Sequence, residues 1–426
     1  MRKLSYTMCL LLATTVFVYG QKREVNNAYS SYQNGFLDRA KDAIDKAILN
    51  DETAKEARTW LYRGNIYLRL ADIRERDFQW QRAKEDSLKL GRPAPVLTRD
   101  QQNEKAYLNL CNNCAEVAYD AYMKALELDR SITVSNMGVN NPEKGLSFCA
   151  SFMFNDAVRL FTDKKYEEAY SLLVKANTAD GKLEYVMFWM GYTAEVMGQM
   201  ENAKTNYNDM IRKKTKDIRV YQQLANIYKT ENDTAKVLNV MKAGEPIFFV
   251  ENPKDPKDPK ENMKDTLYRD FVLVYSLFVS WAGKTDDARE IINQALEKYP
   301  DNHIFLISYG TALSDDGYYT EAEKYLKKAL EMKPDDVTAI FNLGTCYFNN
   351  SISITKSLSS IDDQGEYDRL KAAAADLLKM ACTQMEKAHE MDPKDRKTLI
   401  DLKQIYTRMG KYEELEAINK KIEELK

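Results

Sequence analysis

The chain has 426 residues, 44% apolar and 30% charged, and its 62 basic residues stand against 65 acidic ones for a formal net charge of −3. That balance describes a folded, helix-rich chain and offers no basic excess for gripping nucleic acid, so no nucleic-acid partner is expected. Only 16 Gly and 10 Pro are present, too few turn residues for an architecture of many short strands, and long helices joined by short turns are expected instead.

Residues 1–20 read as a cleaved signal peptide. Arg2 and Lys3 precede an apolar stretch from Met8 to Val18, and Val18-Tyr19-Gly20 places small residues before a cut that would leave Gln21 first. The stretch is shorter than the roughly 20 apolar residues a bilayer span needs, and no later segment is a candidate for an integral span. Cys9 lacks the arrangement of a lipoprotein signal. The expected localisation is exported, periplasmic or secreted.

Beyond the leader, one pattern recurs along the chain. Residues 21–131 open with Ala28, Ala40 and Ala47, then Trp60, Gly64 and Tyr67. Gly64 and its counterpart Ala118 stand 54 residues apart, where the regular units show 12. The extra residues, about 73–114, predict that both helices lengthen into a hairpin projecting roughly 30 Å, turned at Gly91–Pro95 and zipped by Phe78, Trp80, Tyr107 and Leu110. Residues 132–149 read as a linker. Residues 150–250 hold three units, marked by Ala157, Ala169 and Ala176, by Gly191, Ala203 and Met210, and by Tyr221, Leu224, Ala225 and Tyr228.

Prolines 253, 256 and 259 interrupt residues 251–264 and predict an extended linker. Residues 265–426 resume the pattern: Ser276, Ala288, Ala295 and Pro300, then Gly310, Ala322, Ala329 and Pro334, then Gly344, 34 residues after Gly310. A polar insertion at about 351–375 precedes a strong helix from Arg369, and Leu399, Leu402, Tyr406, Gly410 and Tyr412 mark the last unit.

These residues and their 34-residue register resemble the tetratricopeptide-repeat (TPR) family over nearly all of the chain after the leader. The resemblance implies an all-α superhelical solenoid of about nine helical hairpins, two of them lengthened. Small residues recur where the two helices of a hairpin touch, and larger ones fill the gap to the next hairpin.

The parts of an enzyme are missing from the sequence. Its two histidines, His303 and His389, lie near no nucleophile signature, and no metal-binding or phosphate-loop motif occurs. No catalytic residue, metal or cofactor is expected. Cys111 and Cys114 form a Cys-x2-Cys pair that falls inside a predicted helix, where two small buried residues are the expected outcome. Cys346 and Cys382, on the two helices of the eighth unit, are a candidate disulfide.

The resemblance further implies a concave groove lined by the first helix of each hairpin. Carried over by position, its candidates are Leu61 and Asn65, Phe154 and Phe161, Phe188 and Tyr192, Asn226, Leu273 and Leu277, Ile307 and Thr311, and Phe341 and Phe348. Aromatic lining suits a peptide. A family clamp for a C-terminal carboxylate needs Lys where Leu61 and Gln222 stand, so only its Asn positions, Asn65 and Asn226, are matched. The expected function is an exported scaffold that presents this groove to envelope or secretion-related proteins. The alternatives are a glycan- or nutrient-binding repeat protein, or a structural protein that self-associates through the long hairpin.

Overall fold

The computed structural model describes residues 22–135, 137–249 and 259–425. The expected leader and residues 250–258 of the proline segment lie outside them. Every regular element among the described residues is helical. The chain forms two compact units that divide between Lys213 and Lys214, one hairpin before the proline segment.

The first unit contains α1 (residues 22–33), α2 (Leu37–Ala47), α3 (Ala57–Lys89), the short α4 (Arg99–Glu104), α5 (Cys114–Leu128), α6 (Pro142–Thr162), α7 (Tyr166–Ala179), α8 (Glu184–Val196) and α9 (Met200–Arg212). These make four hairpins, α1–α2, α3–α5, α6–α7 and α8–α9. The second unit contains α10 (Ile218–Thr230), α11 (Thr234–Phe248), α12 (Pro259–Trp281), α13 (Thr285–Lys298), α14 (His303–Asp315), α15 (Tyr319–Met332), α16 (Val337–Ser357), α17 (Gln364–Met391), α18 (Arg396–Met409) and α19 (Tyr412–Glu424). They pair in order into five more hairpins.

Local chemistry starts and stops these helices. Asn302 caps α14 by accepting from the backbone N–H groups of Ile304 and Phe305, and Asp336 and Asp395 cap α16 and α18 in the same way. Gly410 ends α18 in the left-handed region with φ 71°. The equivalent turns after α6 and α10 bend through the same region at Lys164 and Asn232, so the turn geometry recurs even where glycine does not.

The hairpins close on missing Cβ atoms. The Tyr122 ring of α5 is fully buried between Gly64 of α3 and Gly145 of α6, and a Cβ at either glycine would stand under 3.0 Å from it. Tyr207 of α9 packs on Gly191 of α8 in the same way. In the second unit Phe271 rests on Gly244 and Leu326 on Gly310. Alanines line the remaining crossings, with Ala118, Ala157, Ala169, Ala176 and Ala203 buried in the first unit and Ala295, Ala322, Ala329 and Ala381 in the second. Close backbone approach sets the helix packing, and the large side chain opposite fills the space.

The structure corrects the expected long hairpin. Its first arm is the 33-residue α3, but the return is not a matching helix. Pro93 and Pro95 have no N–H to donate, and helix resumes only where Thr98 and Gln101 form a capping box. That helix, α4, lasts six residues, and residues 108–113 are irregular before α5 starts at Cys114. The expected zipper is also rearranged. Trp80 Nε1 donates to Pro95 O at 3.0 Å, while Tyr107 OH reaches away to Gly35 O at 2.8 Å. Phe78 lies under the Arg159 guanidinium of α6, 4.5 Å from its ring centre, and Arg159 pairs with Glu75 at 3.1 Å. The arm therefore leans on the next hairpin along part of its length.

Three other boundaries shift. The 132–149 linker ends early, because Asn141 accepts from Lys144 N and Pro142 opens α6. The 251–264 linker also ends early, with α12 beginning at Pro259. The 351–375 insertion is mostly helix, since α16 continues to Ser357, a 3-10 turn follows at Leu358–Ser360, and α17 starts at Gln364.

Gly64→Ala is expected to lower stability, because overpacking against the enclosed Tyr122 costs about 1–3 kcal/mol and exceeds the ~1 kcal/mol of helix propensity gained. Gly181→Ala, which would meet only Asn177 O at 3.5 Å, serves as the tolerated control. Urea unfolding midpoints compare the two, and equal midpoints would remove the close approach from this account.

Candidate groove and cysteine sites

In the first unit the groove is filled by the protein itself. Leu61 is fully buried. Asn65, also buried, donates through Nδ2 to Met137 O at 2.6 Å and Val139 O at 3.1 Å, and its Oδ1 accepts from Tyr122 OH at 2.7 Å. The connection between α5 and α6 thus lies across the position where the resemblance placed a ligand. Met137 inserts beside Val25, Ala28, Ile44 and Ile66, and Val134 joins the neighbouring core. Neither Leu61 nor Asn65 is open to a partner, which corrects the expectation for both. All of the polar capacity of the Asn65 amide facing this loop goes to backbone groups that burial would otherwise leave unpaired.

The aromatic residues of α6 and α8 do come together. Phe161 packs on Trp189 at 5.2 Å and on Tyr192 at 5.5 Å, and Phe154 meets Tyr185 at 4.6 Å. Phe188 is buried, 6.1 Å from Tyr207 and 6.3 Å from Tyr192, so it belongs to the hairpin core. Phe154, Phe161, Trp189 and Tyr192 remain half-buried. Trp189, which is not at one of the groove positions of the register, packs against Phe154 and Phe161 of α6. Trp80, the other aromatic of interest, carries Lys84 and Lys105 at 5.3 and 4.7 Å from its ring centre, leaving little open face for a sugar.

The second unit holds an open cleft of about 420 Å³ formed by α12, α13, α14 and α16. Leu273, Leu277, Ile307 and Thr311 line it, and Leu277 is 71% exposed. Ser276, the small residue of the register, joins Ser308 and Asn342, which register did not single out, in a polar fringe. Asp315 and Asp316 stand at one end. Arg289 occupies Asp316 at 2.5 Å. Partial desolvation by the cleft wall, with Asp316 adding to it against the pull of Lys397, raises the Asp315 carboxyl above the ordinary carboxylate range.

Elsewhere, Asn226 is half-buried and its amide meets Gln223 at 3.5 Å. Phe341 and Phe348 are buried beneath the next hairpin, with Lys397 and Arg408 of α18 over their rings at 4.6 and 5.8 Å. They are packing residues, contrary to expectation. Cys346 and Cys382 are both free thiols. Cys346 donates to Tyr319 O at 3.5 Å and Cys382 to Glu386 Oε1 at 3.3 Å, so the candidate disulfide is absent.

The Cys111–Cys114 pair is placed differently from its reading as mid-helix. Cys114 is the first residue of α5, and Cys111 lies outside the helix, half-exposed. Cys114 Sγ donates to Cys111 O at 3.1 Å. His389 accepts from Lys421 Nζ at 2.7 Å, and burial together with that ammonium lowers its pKa. Among the described residues no cluster of His, Cys, Asp and Glu could hold a metal ion, and no helix is long and apolar enough to cross a membrane.

Residues 282–337 and 310–351 match the family model for the tetratricopeptide repeat. No curated protein matches the chain. Among solved structures it is similar to yeast Tom70, at 12% identity over 95% of this chain and 85% of that one, with a TM-score of 0.41. A tetratricopeptide repeat protein from Parabacteroides merdae shows 14% identity over 60% and 98%, with a TM-score of 0.36. A fragment of MamA from Desulfovibrio magneticus shows 17% identity over 49% and 94%, with a TM-score of 0.33.

Asn65→Ala is expected to release the 132–141 connection, since the lost amide strands buried carbonyls at a cost of about 1–3 kcal/mol. Amide exchange at residues 134–139 then rises about tenfold or more, while the helices of the second unit keep their protection. Unchanged exchange would show that burial of Met137 alone holds the loop.

Proposed function

Because the chain is a tetratricopeptide-repeat protein, we propose that it is a non-catalytic scaffold that captures a segment of a partner protein in the α12–α14–α16 cleft. The observation that carries this reading is Leu277, a large apolar side chain left 71% exposed in a concave site that also contains Leu273 and Ile307. Helical repeats of this kind serve protein–protein interaction in general, and with Leu61, Asn65, Phe188, Phe341 and Phe348 buried, this cleft offers the most exposed apolar side chain of the register. A partner segment that presents two or three apolar side chains fills the wall, while Ser308 and Asn342 offer hydrogen bonds to its backbone. Asp315 favours a basic side chain at one end.

The reading includes export. Arg2, Lys3 and the apolar stretch that follows support it, and the partner is then an envelope or secretion-related protein. The glycan-binding alternative loses its footing with Trp80 covered by lysines, and it is not carried further.

A photo-crosslinking side chain at position 277 is expected to capture a discrete partner in the native envelope, whereas one at the equally open Leu49 does not. Equal capture from both positions would sink the cleft. Leu277→Asp should weaken binding about tenfold, a change of about 1.4 kcal/mol. For a basic apolar peptide, affinity falls as pH drops through the raised Asp315 pKa, because protonation removes the charge facing the cation. Asp315→Asn should bind weakly at every pH, and fluorescence anisotropy across that range reads both effects. Mass spectrometry of the protein from its own cells is expected to find Gln21 at the N-terminus, and an uncut leader would end the export reading.

A further inference from the structure

Cys111 and Cys114 belong to the first unit and take no part in the proposed cleft. They meet at the start of α5, with Cys111 half-exposed in the irregular segment 108–113 and Cys114 only 1% exposed at the first helical position. The Cys114 thiol donates to the Cys111 carbonyl oxygen at 3.1 Å, which brings the two side chains together at the helix start. Arg74 of α3 donates to Cys111 O at 3.2 Å and also to Asn112 O, which anchors the segment and fixes a positive charge beside it. The N–H groups of the first turn of α5 add the positive end of the helix dipole.

The geometry points to a dithiol–disulfide exchange site, in which Cys111 attacks, Cys114 resolves, and the substrate is a low-molecular-weight or protein disulfide. The thiol contact, with Arg74 and Lys41 also contributing, lowers the Cys111 pKa, while the same contact and burial push Cys114 far up. The other thiols differ. Burial raises Cys149 and Cys346, and Cys382 is pushed up to about 11. Only Cys111 among the described thiols is both reachable and acidified, the combination that makes a thiol reactive. Residues three apart in a helical turn hold their Cβ atoms about 5–6 Å apart, beyond the roughly 3.5–4.5 Å of a disulfide. Asn113, with φ −117° and ψ 43°, lies outside helical geometry, so Cys111 and Cys114 are not held at the spacing of a helical turn.

In the exchange the Cys111 thiolate attacks one sulfur of the substrate disulfide and expels the other half as a thiolate, leaving a mixed disulfide. Cys114 then loses its proton and its sulfur attacks the Cys111 sulfur, expelling the second half as a thiolate. The protein gives up two thiol protons and two electrons. The substrate disulfide is reduced to two thiols that take up those protons. The reverse sequence reduces the protein.

The test equilibrates the full chain with mixtures of oxidised and reduced glutathione, followed by acid quench, alkylation and peptide mass spectrometry. The wild type is expected to lose two hydrogens in the peptide that carries both cysteines, reversibly and without a lasting glutathione adduct. Cys114→Ser should instead trap glutathione on Cys111, about tenfold faster than adducts form at Cys149, Cys346 or Cys382. Cys111→Ser should take up none at Cys114. Cys114→Ala, checked for helix content by circular dichroism, replaces the serine variant if that one misfolds. A wild type that keeps glutathione on Cys111 without closing the internal bond, or that takes up none at all, overturns the proposal.

Discussion

The structure depends on pairing an absent Cβ with a large side chain. Tyr122 can be enclosed only because Gly64 and Gly145 let α3 and α6 come close on either side of it, and Tyr207 stands in the same relation to Gly191. Such a contact sets both the separation and the crossing of the helices it joins. Where alanine replaces glycine, as at Ala157 and Ala225, the burial is still complete. Each hairpin leaves one face uncovered and must bury it on the next, which is why the units read as runs of neighbours rather than as a single central core.

The same repeat geometry decides where a ligand can sit, but only after the irregular segments are placed. Positions that share the groove face in register meet very different fates. Asn65 is tied up by the carbonyls of Met137 and Val139, Phe341 is covered by Lys397, and Leu277 stands in the open. A single exposed leucine is ordinary on a protein surface, and Leu277 is set apart only by sharing a cleft with Leu273 and Ile307, whereas the buried positions are committed to packing. The cleft of α12, α14 and α16 keeps its groove-register leucine exposed, while Phe154, Phe161 and Tyr192 of the first unit are half-buried against one another.

Two features of the first unit follow from one local fact, the failure of the return arm to become a long helix. Pro93 and Pro95 interrupt it, α4 is brief, and the chain reaches α5 through an irregular segment. As a result Cys114 begins a helix instead of lying within one, and Cys111 faces Arg74 and solvent. The reactivity argued for that pair depends on a helix boundary, a matter of only a few residues.

Composition and the 34-residue register of small residues, as from Ala157 to Gly191 and from Ser276 to Gly310 to Gly344, determined the all-α hairpin fold and about nine hairpins, because close helix contact leaves a periodic mark on the chain. The register also pointed to Leu273, Leu277, Ile307 and Thr311. It could not tell these from Leu61, Asn65, Phe341 and Phe348, since whether a first-helix side chain is open depends on what non-repeating segment or neighbouring hairpin covers it. The Met137 loop, the Arg159–Phe78 contact and the start of α5 at Cys114 were decided only in three dimensions, by long-range contacts that have no period for a sequence pattern to carry.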